Sequence, residues 1–262
     1  PGDRVLDMLT AVRTMPNVEV AAAGFTAPYV SAGRNTELTL ADGREFFTNA
    51  SAATDDFAAA LDMRVVAGRW FSREDDGARG TPVVLNVRLA REVFGDRDPI
   101  GQTLPLADTD ETDTTRPWRV VGVVEDFRRE GEFESPGNFF FQRLRLDGLN
   151  TAAGMTNSPN VLIVRVAPGT PAEFEAQLVR QLQEIAPDWS LEARLLEDLR
   201  ENKHRGYLEP IAIFGTVAAF LLVMVALGLT GVVWQSITSR TRQFGLRRAK
   251  GATAGNVRRQ VL

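Results

Sequence analysis

One stretch of this chain departs from every other in its pattern: residues 211–234 read IAIFGTVAAFLLVMVALGLTGVVW, twenty-four positions without a charge. A helix rising about 1.5 Å per residue would carry that stretch through roughly 36 Å, enough to cross a hydrocarbon core of about 30 Å with modest tilt. The pattern predicts a transmembrane helix. A buried helix of a large soluble core would usually be shorter and would keep a polar stripe.

Before that stretch the apolar positions recur in short periodic runs. Val5, Met8, Leu9 and Val12 fall at helical spacing within 3–15, Pro16-Asn17 stops the helix, and 18–23 reads as a strand. A second unit echoes the first. After a strand at 161–166, Thr170-Pro171-Ala172-Glu173 has the form of a capping box with proline at the first helical position. Phe174, Leu178, Leu182 and Ile185 then continue one apolar face to Pro187-Asp188, and 191–195 reads as the next strand. The echo places both ends, 1–34 and 158–195, in one α/β subdomain with a long insertion between them.

The insertion, 35–157, is strand-rich. Residues 37–40 and 44–48 flank an Asp42-Gly43 turn, the pattern of a hairpin. A short helix is predicted at 55–61, a buried strand at 82–86, an amphipathic helix at 88–94 ending at Gly95, and a strand at 118–125, WRVVGVVE. Two polar stretches, 106–117 and 147–159, read as a loop and a linker. Residues 196–210, with Leu196, Leu199 and Tyr207 as apolar points, form an amphipathic stalk leading into the membrane helix, where Pro210 is tolerated near the interface. The expected fold class is therefore α+β, an α/β subdomain carrying a strand-rich insert, followed by a transmembrane α-helix.

Charge adds an orientation. After the apolar span, 235–262 carries seven basic residues (Arg240, Arg242, Arg247, Arg248, Lys250, Arg258 and Arg259) and no Asp or Glu, whereas everything before it carries a net charge of −11. By the positive-inside rule the tail faces the cytoplasm and residues 1 to about 205 lie outside it. Lysine occurs only at 203 and 250, and the arginines before the span are interleaved with carboxylates, so no nucleic-acid footprint is expected. The chain opens at Pro1 without a methionine or signal peptide, and is read as starting after an earlier membrane helix.

Candidate chemistry is sparse. With no cysteine, a domain of this size depends on its core, and thiol catalysis or cysteine–zinc sites are excluded. The single histidine, His204, sits between Lys203 and Arg205 in the stalk, and no G-x-S-x-G accompanies it. Glu125-Asp126 could be imagined as an acid/base pair, but adjacent strand residues point to opposite faces. Asp108, Asp110, Glu111 and Asp113 lack the glycine and terminal glutamate of a calcium loop, so a solvated loop is expected and no metal. Phosphate-binding glycine loops are missing as well. Within the membrane span, Gly215, Ala219, Ala226 and Thr230 share a face at spacings of four and seven, a candidate stripe for close helix packing beside the general Gly/Ala richness of membrane helices.

The tail carries the most specific signal. Arg240-Thr241, Phe244-Gly245-Leu246-Arg247, Ala249, Gly251 and Ala252 follow the form R-T-x-E-hydrophobic-G-hydrophobic-R-x-A-x-G-A, which resembles the segment after the second membrane helix of MacB-like and FtsX-like ABC transporter permeases. Three dispersed stretches, 61–76, 83–104 and 118–128, resemble the extracytoplasmic core domain of the same family. Gln243 departs from the pattern, standing where the family usually has an acidic residue.

The resemblance implies a porter-like α/β subdomain with an inserted subdomain outside the membrane. It also implies a coupling element formed by Phe244, Gly245, Leu246, Arg247, Arg248, Ala249, Gly251 and Ala252 that docks on an ABC ATPase subunit or domain. Phe244 and Leu246 could fill a groove while the arginines pair with an acidic rim. ATP and Mg would be bound by that ATPase and no cofactor by this chain; further partners implied are a second permease copy or paired permease, membrane lipid and a periplasmic adaptor. The rival reading is a transmembrane sensor signalling through one helix. A sensor predicts sustained heptads after the membrane, which Gly245, Gly251 and Gly255 would interrupt.

Overall fold

A computed structural model describes residues 2–30, 34–78, 80–105, 117–132, 134–146 and 159–249. The chain divides into two units, Pro1–Lys203 and His204–Leu262. Among the described residues the first unit contains α1 (Gly2–Arg13), β1 (Val18–Gly24), β2 (Arg34–Thr39), β3 (Glu45–Ala53), α2 (Phe57–Ala60), β4 (Val65–Gly68), a 3-10 turn (Arg73–Asp75), β5 (Thr81–Asn86), α3 (Val87–Phe94), β6 (Trp118–Val124), β7 (Phe139–Arg143), β8 (Val161–Val166) and α4 (Glu173–Ile185). A last helix, α5 (Leu196–Ala249), begins in the first unit and continues into the second.

All eight strands join one mixed sheet in the order β4-β6-β5-β7-β3-β1-β8, with β2 paired to β3 beside this path. The pairs β5/β6 and β3/β7 are parallel and the others antiparallel. The α+β fold class is as expected. The Asp42-Gly43 hairpin is present, with Leu40 N–H donating to the Arg44 carbonyl at 2.8 Å and Gly43 at φ 84°, a conformation glycine adopts without strain. α3 ends at Gly95, as its sequence predicted, and starts where the Asn86 side chain, which the sequence did not single out as a cap, accepts from Leu89 N–H.

Side-chain alternation sorts the core into two faces. On one, Phe57, Phe71, Phe127, Phe139 and Phe141 pack with Ala22, Ala53, Val84, Val121 and Val124. On the other, α3 and the β2–β3 hairpin cover Ala50, Val83, Leu85 and Phe140, while α1 and α4 cover Ala21 and Ala23 through Val5, Met8, Leu9, Val12 and Leu182. Arg4 on α1 ties to Asp188 just beyond α4 at 2.7 Å.

The structure corrects the sequence reading in three places. β7, which lies between β5 and β3 at the middle of the sheet, was not expected, because Phe139-Phe140-Phe141 shows no alternation; both faces of the strand are buried, so it needs none. No capping box opens α4: Ala172 occupies the cap position without a side-chain bond, and the Thr170 hydroxyl donates instead to the Ala167 carbonyl at 2.6 Å. Nor do residues 191–195 form a strand. Leu191 is used as a packing point against the α1/α4 cluster, Leu195 is exposed, and the segment runs directly into α5. The stretches 106–116 and 147–158, including Asp108, Asp110, Glu111 and Asp113, lie outside the described residues.

α5 carries the apolar stretch 211–234 in the second unit, and its residues Leu196–Thr238 form a helix long and apolar enough, by length and composition, to cross a membrane. Its large side chains, among them Phe214, Leu222 and Trp234, are exposed, as a lipid-facing helix requires.

Candidate functional site

The first turns of α5 are held by a loop that leaves β6. Arg200 Nε lies 2.8 Å from Glu132 Oε1, and Lys203 Nζ lies 2.6 Å from Glu130 Oε2. Three residues apart, Arg200 and Lys203 share a helix face, which lets both reach the same loop. The Tyr29 hydroxyl donates to Glu132 at 3.0 Å, Arg129 contacts Glu130 at 3.1 Å, and Tyr29 N–H donates to the Arg129 carbonyl at 2.7 Å. The hydrogen bond from Lys203 is the main cause that holds the Glu130 carboxyl below its usual range; partial burial opposes it, and the charges of Lys203 and Arg129 add to it.

The root of that loop is fixed. Asp126 accepts from Asn86 Nδ2 at 2.9 Å and from Arg88 N–H at 3.2 Å, which joins the end of β6 to the start of α3. Glu125 instead pairs with Arg64 at 3.1 Å on the surface. The two neighbouring carboxylates are thus turned to separate structural partners and do not form an acid/base pair.

A second ionic cluster sits near β4. Asp75, almost wholly buried, takes Arg69 through both oxygens at 2.8 Å and Arg119 at 3.2 Å, and accepts from Ser72 N–H at 3.0 Å. Ser72 in return accepts from the backbone, so a capping box forms on this short turn rather than at α4. Burial alone would raise the Asp75 carboxyl; the bonds from Arg69 and Ser72, with the charges of Arg69 and Arg119, outweigh it and hold the group below the usual carboxylate range. Arg143 at the end of β7 is buried between Asp55, at 2.6 Å, and Asp76. These clusters fasten loops to the sheet.

The residues singled out in the sequence are placed as follows. Gly215, Ala219, Ala226 and Thr230 all lie on α5 and are exposed, and the Thr230 hydroxyl donates to the Ala226 carbonyl at 2.8 Å. Phe244, Gly245, Leu246, Arg247, Arg248 and Ala249 belong to the last turns of α5, and Gly251 and Ala252 lie outside the described residues. Among the described residues no cluster of three or more His, Asp or Glu could hold a metal ion. Sequence reasoning missed Glu130 and Glu132; the alternating charges of Arg128-Arg129-Glu130-Gly131-Glu132 were the available signal, but partners some 70 residues away carry no periodic signature.

Comparison with known proteins gives these features a family. Residues 2–181 match the family described as the MacB-like periplasmic core domain. The pyoverdine export ATP-binding/permease protein PvdT of Pseudomonas aeruginosa is 24% identical over 266 residues, covering 98% of this chain and 36% of that protein. The macrolide export ATP-binding/permease protein MacB of Agrobacterium fabrum is 28% identical over 214 residues, 79% of this chain and 31% of its own length. The chain thus spans about a third of the length of these curated relatives. Among solved structures, the periplasmic region of MacB from Actinobacillus actinomycetemcomitans aligns with a TM-score of 0.49 at 15% identity, over 69% of this chain and 73% of that one. With well over half of its length matched, the chain belongs to the family of the MacB-like periplasmic core domain, and is an inner-membrane protein whose matched domain is periplasmic.

Proposed function

We propose that this chain is part of the permease component of an ABC transporter. It would convert ATP binding and hydrolysis in an ABC ATPase subunit or domain into movement of the periplasmic domain, and so drive export. The observation that carries this reading is the order of parts: a MacB-like periplasmic core domain, an apolar helix, then an arginine-rich segment of the form these permeases place against their ATPase. Phe244 and Leu246 are the proposed groove-filling contacts, Arg247 and Arg248 the contacts to an acidic rim. ATP and Mg belong to the ATPase. The relatives are named for pyoverdine and macrolide export, which supports an efflux role and leaves the cargo chemistry to be measured.

In this reading Gly215, Ala219, Ala226 and Thr230 face another membrane helix, of the same protein or of a second permease copy. The periplasmic part is built as a porter-like α/β subdomain, 1–34 and 158–195, bearing the insert 35–157. The test is detergent co-purification of the full-length protein with its ATPase, comparing wild type with a Phe244→Asp, Leu246→Asp double variant. The ATPase should accompany wild type and be lost from a variant that still folds and inserts. Failure of any ATPase to accompany wild type would overturn coupling as the role of the tail and favour the sensor reading.

A further inference from the structure

We propose that Glu130 and Glu132 clamp the first turns of α5 to the periplasmic domain, and that the helix is built to bend immediately beyond the clamp, between Gly206 and Pro210. The purpose assigned to this device, delivering a stroke from the membrane to a defined point of the domain, rests on the permease reading. The device itself is argued from the geometry.

The clamp has two jaws on one helix face, Arg200 on Glu132 and Lys203 on Glu130. Lys203 and Glu130 are largely withdrawn from water, so this pair is screened less than an ordinary surface pair. The acidic loop is a firm seat. Phe127 anchors it in the aromatic cluster, Arg128 donates to the carbonyls of Glu132 and Glu134, and Gly131, at φ 98°, lies so close to the Tyr29 ring that a Cβ there would fall 2.8 Å from it. A loop tied at so many points transmits force rather than absorbing it.

Just past Lys203, where the first unit ends, the helix loses stiffness by composition. Pro210 has no N–H for the carbonyl of Gly206, four residues back, and its ring crowds that carbonyl. The residue facing this defect is a glycine, the one with the most backbone freedom. Packing among the described residues does not demand it, since a Cβ at Gly206 would meet open space there. A missing bond and a glycine at the two ends of one helical turn make a pivot, with the clamp setting its upper limit.

Amide hydrogen exchange on the full-length protein in lipid nanodiscs tests both parts. In wild type, amides 205–209 should exchange at least about tenfold faster than amides 200–203 and than those of the membrane span. Glu130→Gln and Lys203→Met should each raise exchange at 200–203 by roughly three- to tenfold, and the double variant should go no further than the larger single effect. Gly206→Ala with Pro210→Ala should slow 205–209 and leave 200–203 unchanged. Multiplying effects in the Glu130/Lys203 pair, or no effect of either, would overturn the clamp; protection at 205–209 equal to its flanks would overturn the pivot. Neither readout needs an ATPase, so loss of the coupling reading in the co-purification test stays distinguishable from loss of the clamp.

Discussion

Asp75 and Arg119 meet at 3.2 Å across residues 44 positions apart, which fastens the turn after β4 to the neighbouring strand β6. Arg69 completes the cluster on the other side of the carboxylate. Asp75→Asn keeps the shape and removes the charge that both guanidiniums face. The expected loss is about 2 kcal/mol, moderated because Arg69 and Arg119 remain part-exposed and can turn to water. The measurement is urea unfolding of the detergent-solubilised protein followed by tryptophan fluorescence, to which Trp70 beside this turn contributes.

The same carboxylate sets a pH dependence. Its folded value lies below the unfolded one, so its contribution is complete above the ordinary carboxylate value of about 4 and is lost as pH falls through the lowered folded value. Glu130, also lowered, acts in the same direction. Stability of wild type should therefore fall on acidification below about pH 4, and the Asp75→Asn variant should show a shallower acid limb. Parallel limbs for the two proteins would refute the assignment.

Gln142 on β7 is buried beside Val83 and Ala52 of the neighbouring strands, and neither its amide oxygen nor its nitrogen has a hydrogen-bond partner among the described residues. Replacing it with an apolar side chain of similar length removes an uncompensated desolvation. Gln142→Met should raise stability by about 1 kcal/mol. A loss on thermal unfolding would mean that the amide is bound to an internal water.

Phe141 touches Phe57, Trp70, Phe127 and Phe139 with ring centroids between 4.7 and 5.8 Å. Phe141→Ala should cost about 3–5 kcal/mol, because four rings lose a common neighbour and the β3/β7/β5 pairing prevents collapse around the gap. The unfolding midpoint reads this directly.

For the membrane stripe, Ala219→Leu and Ala226→Leu enlarge two positions of the proposed packing face. Self-association in nanodiscs, read by energy transfer between labelled copies, should weaken several-fold if a second copy lies there. Residues 1–262 contain no cysteine, so a labelling cysteine placed among them has no native thiol in that stretch to compete with it.

Elements that follow from local signals were legible in the sequence: the Asp42-Gly43 hairpin, α3 between Asn86 and Gly95, the strand from Trp118, and the apolar span of α5. What could not be read depended on distant partners. Thr170 had the right spacing for a cap, yet a nearer carbonyl took its hydroxyl. Residues 191–195 had strand composition but pair with no strand among the described residues. The proposed coupling segment was visible only as a motif, whereas Glu130 and Glu132 gave no motif at all and emerged from where the loop after β6 meets α5.

The position of β7 constrains how this protein can be made. Among the described residues β5 and β3 do not pair with each other, and the two halves of the sheet are joined through β7 and its flanking residues, 138–144. A polypeptide threaded across the membrane from its N-terminus must therefore deliver six strands before the one that seals them arrives. During that interval Val83, Val84 and Leu85 on one half and Ala50 and Ala52 on the other have an open apolar margin, a template for wrong pairing. The later residues 139–143 emerge, the longer that margin stays uncovered.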